Sequence, residues 1–235
     1  QVGQMYGYRN DGRYEVSDFD HYDANKKQWV LKEGVVDCSS VIGTLRPGSM
    51  KLKDIAGGDN AVTTDDREVI GNANPIHTGG FGINTRFYGF DLTANFNWSI
   101  GNDVYNANKI EYTTSGGSKY RNMISEMESG KRWTNLNEDG TLCNDPVKLA
   151  EMNANTTMWS PWMKQFVFSD WAVEDGSFLR LNTLTLGYTV PRYILDKMKI
   201  QNLRVYVTGY NVFCWTNYSG ADPCLLYTSP SPRDS

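Results

Sequence analysis

Phe81, Ile83, Thr85 and Phe87 fall on one side of a period-two pattern, and after Tyr88-Gly89 the pattern resumes with Phe90, Leu92, Ala94, Phe96 and Trp98. Side chains on a strand alternate between faces, so this is a β-hairpin with strands at about 79–87 and 90–100 and one aromatic-aliphatic face. Gly82, Asn84, Arg86, Asp91, Thr93, Asn95 and Asn97 form the other face. A water-washed face on a soluble sheet usually carries Lys and Glu, whereas this one carries Asn and Thr with a single Arg and a single Asp. Such a face suits the lumen of a membrane barrel, and the apolar face suits a lipid-facing band ending in aromatics.

A transmembrane barrel looks soluble to a window average, because every lipid-facing residue is diluted by a lumen-facing one. The mean hydropathy of -0.52 and the 22 Gly, 14 Tyr, 9 Phe and 7 Trp among 235 residues fit an all-β chain of that type. No run approaches the roughly 20 apolar residues of a membrane helix, which excludes helical spanning. Gln1-Val2-Gly3-Gln4-Met5-Tyr6 has neither the basic region nor the apolar stretch of a signal peptide, so for an exported protein the true N-terminus is expected upstream. A net charge of -4 excludes the basic stripe of a nucleic-acid binder. Cys38, Cys143, Cys214 and Cys224 lack the paired spacing of a zinc site and read as incidental thiols. His21 and His77 give a His-based triad or metal centre little to build on.

Residues 1–78 are mixed, with a short hairpin expected from Tyr6 to Tyr14 around Asn10-Asp11-Gly12 and a Gly- and Asp-rich loop from Pro47 to Arg67. Residues 79–100 are the hairpin described above. Residues 101–176 are long and non-periodic, with a short helix expected around Arg121 to Arg132, where Met123, Ile124 and Met127 fall at helical spacing. A connection of that length is either functional or carries small elements of its own. Residues 177–216 hold a second strand pair, Ser177 to Thr189 and Leu203 to about Trp215, joined by Pro191 to Asn202 with a helical turn or two. Residues 217–223 open another irregular stretch. Long and short connections therefore alternate, as in outer-membrane barrels, where periplasmic turns are short and extracellular loops long. That pattern puts Tyr88-Gly89 and Pro191 to Asn202 on the periplasmic side, with 1–78 and 101–176 outside the cell.

Trp171-Ala-Val-Glu-Asp-Gly-Ser-Phe-Leu-Arg-Leu-Asn-Thr-Leu-Thr-Leu-Gly-Tyr-Thr-Val-Pro191 also has a direct physical reading. Asp175-Gly176 is a turn that launches a strand, and Pro191 ends it because Pro cannot donate to a ladder. Leu184, Leu186, Tyr188 and Val190 share a face, but Leu179 and Leu181 have the opposite parity, so a bulge near Asn182-Thr183 or a change of burial is expected. With Leu203-Arg-Val-Tyr-Val-Thr-Gly-Tyr-Asn-Val-Phe213, this stretch closely resembles the C-terminal barrel of the SusC/RagA family of TonB-dependent outer-membrane transporters, found mainly in Bacteroidetes. Further matches are Gly3-Gln4-Met5-Tyr6-Gly7-Tyr8 with Asp11-Gly12, Asp65-Asp66-Arg67 with Val69-Ile70-Gly71-Asn72 and Asn74-Pro75, and Gly101-Asn102-Asp103-Val104-Tyr105-Asn106. The resemblance covers nearly all of 3–223 and implies a partial antiparallel barrel, a fragment of a 22-stranded one. It also implies the outer membrane of a Gram-negative bacterium, a SusD-like surface lipoprotein as partner, TonB engaged through a missing N-terminal part, and import of oligosaccharides or peptides, with no enzyme activity and no cofactor. Residues 224–235 depart from the family and read as a non-native tail.

Within that picture Asn84, Arg86, Asp91, Asn95 and Asn97 are the expected pore lining. Trp98 and Trp215 lie at strand ends, where amphipathic rings mark membrane interfaces. Trp133, Trp159 and Trp162 fall in the long outer segment, where exposed rings are able to stack on sugars, with loop packing or docking on a partner as the alternative. Asp54, Asp59, Asp65 and Asp66 with Gly57-Gly58 sit where family members often carry a calcium loop, but Ala56 takes a ligand position and Asn60 stands where Gly is needed, so turn chemistry is the expected reading and no metal site is assigned. Glu174 with Asp175 and Glu126 with Glu128 are local, solvated pairs rather than a glycosidase acid and base facing each other across a cleft. The competing reading of the whole chain is a soluble carbohydrate-binding β-sandwich, which would bury the aromatic row against a second sheet.

Overall fold

The structure is a computed structural model that describes residues 2–115, 122–162, 167–220 and 222–223; the expected tail at 224–235 lies outside them. The regular structure is mostly strand with a few short helices, and the described residues divide into two compact units, one drawn from 1–71 and 105–173 and the other from 72–104 and 174–223. No helix among the described residues is long and apolar enough to cross a membrane, which says nothing of strands.

The first unit joins two segments that the sequence presents as separate loop regions. Tyr14, Phe19, Cys38, Met50, Leu52 and Val62 from the early segment share one buried cluster with Ile110, Met127, Met158, Trp159, Val167 and Ala172 from the later one. Polar contacts stitch the same segments together. Arg13 donates from Nη1 to Thr156 Oγ1 at 2.7 Å and to Met158 O at 2.8 Å, and from Nη2 to Thr156 O at 2.8 Å. Asn10 N–H donates to Asp170 Oδ1 at 2.8 Å.

These long-range partners overturn the expected Tyr6 to Tyr14 hairpin. Gln4–Gly7 pairs with the strand Glu68–Asn72, and Asn10–Arg13 pairs with Met50–Leu52. Gly12, at φ +80°, marks an irregularity within the second of these pairings instead of turning a hairpin. The hairpin of this unit lies further on, between Phe19–Asp23 and Gln28–Leu31, where Asp23 Oδ1 accepts from Asn25 N–H at 2.9 Å and Lys26 N–H at 3.1 Å.

The later segment is also more ordered than its lack of periodicity suggests. Around the helix expected at 121–132 there is only a single 3-10 turn at Ser125–Met127, and Arg121 lies outside the described residues. Helices form instead at Ala107–Glu111 and Pro146–Asn153. The second starts on Asp145, whose Oδ1 accepts from Val147 N–H at 2.9 Å and Lys148 N–H at 3.3 Å, with Pro in the first turn. Asp145→Ala should therefore cost about 1 kcal/mol, read as a lowered urea midpoint of the intact protein; an unchanged midpoint would show that the cap contributes nothing.

The second unit is a four-stranded antiparallel sheet. Its strands, His77–Phe87, Phe90–Ile100, Phe178–Thr189 and Arg204–Thr216, lie side by side in chain order. The first two meet at Tyr88-Gly89, where both residues have positive φ, 47° and 87°. Such a turn matches the right-handed twist of the flanking strands. The last two are joined through the helix Arg192–Met198, which ends on Lys199 in the left-handed conformation at φ 55°. The strands run 11, 11, 12 and 13 residues, whereas a tilted membrane-crossing strand needs about 9–11. Among the described residues, the two outermost strands each keep one edge unpaired.

The parity break in the third strand is a bulge. Leu181 opposes Phe96 and Thr183 opposes Asn95, so Asn182 is an extra residue relative to the neighbouring strand. It shifts the alternation by one and returns Leu179, Leu181, Leu184 and Leu186 to a single face. On the other side, the fourth strand steps from Phe213 to Tyr210 with Asn211 at φ 50°.

Candidate functional site

The register builds two unlike faces from these four strands. On the apolar face the rows read Gly79, Trp98, Leu179, Trp215; then Phe81, Phe96, Leu181, Phe213; Ile83, Ala94, Leu184, Gly209; Thr85, Leu92, Leu186, Val207; and Phe87, Phe90, Tyr188, Val205. Aromatics thus gather at both ends, with an aliphatic band between them. Phe81 stacks on Phe96 at 4.6 Å, Phe213 meets Trp215 at 4.7 Å, and Phe90 meets Tyr188 at 4.5 Å. Trp98 lies over Gly79 and donates from Nε1 to His77 Nδ1 at 2.8 Å. This face is open: Phe87 is 70% exposed, Val207 72%, Leu186 55% and Phe213 53%.

The polar face carries no Lys and no Glu on any of the four strands. Its rows include Asn84, Thr93, Thr185, Thr208, and Gly82, Asn95, Thr183, Tyr210. Thr185 and Thr208 share a hydroxyl hydrogen bond of 3.0 Å. Toward the tight-turn end, Arg86 opposes Asp91, and Asp91 takes Arg204 from two strands away, Nη2 to Oδ2 at 2.5 Å and Nε to Oδ1 at 3.2 Å. The bridge passes over Gly187, where a Cβ would stand 2.6 Å from Asp91 Oδ2 and 2.8 Å from Arg204 Nη2. Nearer the other end, buried Arg180 forms an ion pair with Asp222.

The aspartate-rich loop of the first unit is organised by its own backbone. Buried Asp66 accepts from Ile55 N–H and Ala56 N–H on Oδ1, both at 2.8 Å, and from Thr63 N–H on Oδ2 at 2.7 Å. Burial works to raise this carboxyl, but the donations from Thr63, Ala56 and Ile55 outweigh it and hold it at about 2. Asp54 Oδ2 accepts from Asn60 N–H at 2.9 Å, and Asp59 Oδ1 from Ala61 N–H at 3.1 Å. These carboxylates serve turn chemistry, and no group of three or more His, Cys, Asp or Glu gathers as for a metal ion among the described residues. Glu174 is likewise committed, accepting from Ser219 N–H at 2.9 Å.

The outer tryptophans separate. Trp133 is buried, with the Arg13 guanidinium 4.7 Å from its ring centre and its Nε1 donating to Asn135 Oδ1. Trp159 is buried against Trp171 at 4.7 Å. The stacking role expected of exposed rings therefore fails for Trp133 and Trp159, whose faces are occupied by the core. Trp162 is 53% exposed and lines a cavity of about 400 Å³ in the first unit.

No protein-family profile matches the chain. The TonB-dependent receptor P3 of Formosa agariphila is 28% identical over 234 residues, covering 100% of this chain and 20% of that protein. The TonB-dependent receptor P26 of the same organism is 27% identical over 198 residues, covering 83% of this chain and 18% of its own. Among solved structures, the RagAB peptide importer in its closed-closed state matches with a TM-score of 0.58 at 22% identity, covering 94% of this chain and 20% of that one. The chain is similar to TonB-dependent receptors in sequence and to the RagAB importer in fold. It spans about a fifth of the length of the curated relatives it matches.

Asn84, Arg86, Asp91, Asn95 and Asn97, the expected pore lining, all fall on one sheet face. Sequence reasoning missed Arg204, which claims Asp91, and Arg180, whose partner Asp222 lies 42 residues away. Both arginines stand at polar-face parity in their strands, the one signal that points to them.

Proposed function

We propose that residues 79–100 and 177–216 form part of the wall of a closed, 22-stranded outer-membrane barrel, and that 1–78 and 101–176 form its outer loops, with 217–223 beginning the next. The connections Tyr88-Gly89 and Pro191 to Asn202 face the periplasm. Asn84, Arg86, Asp91, Asn95 and Asn97 line the pore, and Trp162 contacts cargo outside it. The whole protein imports oligosaccharides or peptides in concert with a SusD-like surface lipoprotein and draws energy through TonB.

One observation carries this reading: an open apolar face, banded by aromatics at both ends, backs onto a polar face without Lys or Glu. The test uses the intact receptor in vesicles whose acyl chains carry bromine. In variants retaining Trp98 or Trp215 as the single tryptophan, bromine near the headgroups should quench fluorescence more strongly than bromine at the bilayer centre. A protein that stays monomeric without detergent and shows no quenching would instead be a soluble sandwich.

A further inference from the structure

The cavity of the first unit sets hydrogen-bond donors beside an apolar wall of Ile42, Leu45, Leu142 and Leu149. Ser49 Oγ accepts from Arg46 N–H at 3.2 Å and Ser160 Oγ from Trp162 N–H at 3.4 Å, so each hydroxyl keeps its own proton to give. Asn135, 5% exposed, spends its Oδ1 on Trp133, and its amide protons meet no acceptor among the described residues. Lys27 and Arg46 add two cations, while no Asp or Glu lines the space. Arg46 makes no ion pair among the described residues. Burial lowers its guanidinium from the ordinary value, as expected of a desolvated cation without a counter-charge.

The turn that holds Arg46 is fixed in advance. Gly48, at φ +88°, sits against the Trp133 ring, where a Cβ would lie 2.2 Å from Cδ1. Gly48 N–H donates to Tyr14 O at 2.8 Å, and Gly48 O accepts from Ser160 N–H at 2.7 Å. Around this donor set stand the rings of Tyr22, Trp29 and Trp162, flat surfaces suited to the faces of sugar rings. Gln28 and Asn144 offer amides that both donate to and accept from hydroxyls. An acidic sugar brings carboxylates alone, whereas a free peptide also brings an ammonium group that meets no carboxylate among the described lining residues.

We infer that this cavity binds an acidic oligosaccharide, with Arg46 taking a uronate carboxylate and the aromatic rings taking the sugar faces. The inference rests on the transporter reading above and names the cargo class of its outer unit. A guanidinium is matched to a carboxylate through paired N–H donors, and a preformed site loses little entropy on binding.

The test measures binding to the intact receptor in detergent by calorimetry, with trigalacturonate, its carboxyl-reduced form and trialanine as probes. Trigalacturonate should bind the wild type, at least tenfold more weakly after Arg46→Gln, and more weakly at high salt. The reduced sugar should bind poorly to both proteins, and Trp162→Ala should weaken trigalacturonate binding. No binding of trigalacturonate, equal binding of the reduced sugar, indifference to Arg46→Gln, or tighter binding of trialanine would each overturn the inference. Should Arg46→Gln fail to fold, the wild-type preference for the carboxylated over the reduced sugar decides the matter alone. Lipid quenching on the same preparation separates the two readings: a quenched wall without carboxylate-dependent binding removes only the cavity inference, and an unquenched one removes the transporter reading.

Discussion

Leu186→Arg is expected to weaken insertion into bilayers, whereas Thr185→Arg, one residue earlier, is expected to leave insertion intact. Leu186 opposes Leu92 and Val207 in the aliphatic band, one row inside the aromatic end of Phe87, Phe90 and Tyr188, where Arg costs up to about 2–4 kcal/mol, the value at the bilayer midplane. Thr185 opposes Thr93 and Thr208 on the polar face, where a cation stays in water. Heat-modifiable migration and protease resistance after reconstitution report the outcome. Equal behaviour of the two variants would mean that the faces have been assigned to the wrong media.

Asp66→Ala should destabilise the first unit by about 3 kcal/mol or more, since three backbone N–H groups lose their acceptor and each orphaned donor costs about 1–3 kcal/mol. The effect has a pH signature. The folded carboxyl, at about 2, lies below its unfolded value of about 3.9, so its contribution is complete above that unfolded value and is lost as pH falls from about 4 toward 2. The gap in melting temperature between wild type and Asp66→Ala should therefore be wide at pH 6 and shrink in acid. A gap that does not vary with pH would show that the ionised carboxylate is not what holds the loop.

The four-stranded sheet was legible because period-two patterning is local. Eleven consecutive residues from Phe90 to Ile100 declare two faces by themselves, and the parity change between Leu181 and Leu184 marked the bulge before any partner strand was known. The first unit was hidden because its determinants are distant. Arg13 is stabilised by Thr156, and the cluster around Tyr14 is completed by Met158 and Trp159, pairings that leave no periodic trace in either segment. The Asn10-Asp11-Gly12 signal predicts a hairpin because local turn chemistry looks the same whether the chain reverses or bulges. Trp133 and Trp159 misled for a related reason: an aromatic within a polar stretch looks exposed until the side chains that cover it are known.

The composite core of the first unit sets a rule for building chimaeras. Its hydrophobic cluster draws on residues before 71 and after 105, so neither segment carries a complete interior. Transplanting 105–173 alone into a relative would strip Met158 and Trp159 of Tyr14, Phe19 and Met50, and the graft should misfold. Exchanging this unit between relatives therefore requires two separated stretches of gene to move together, with the strands between them left in place.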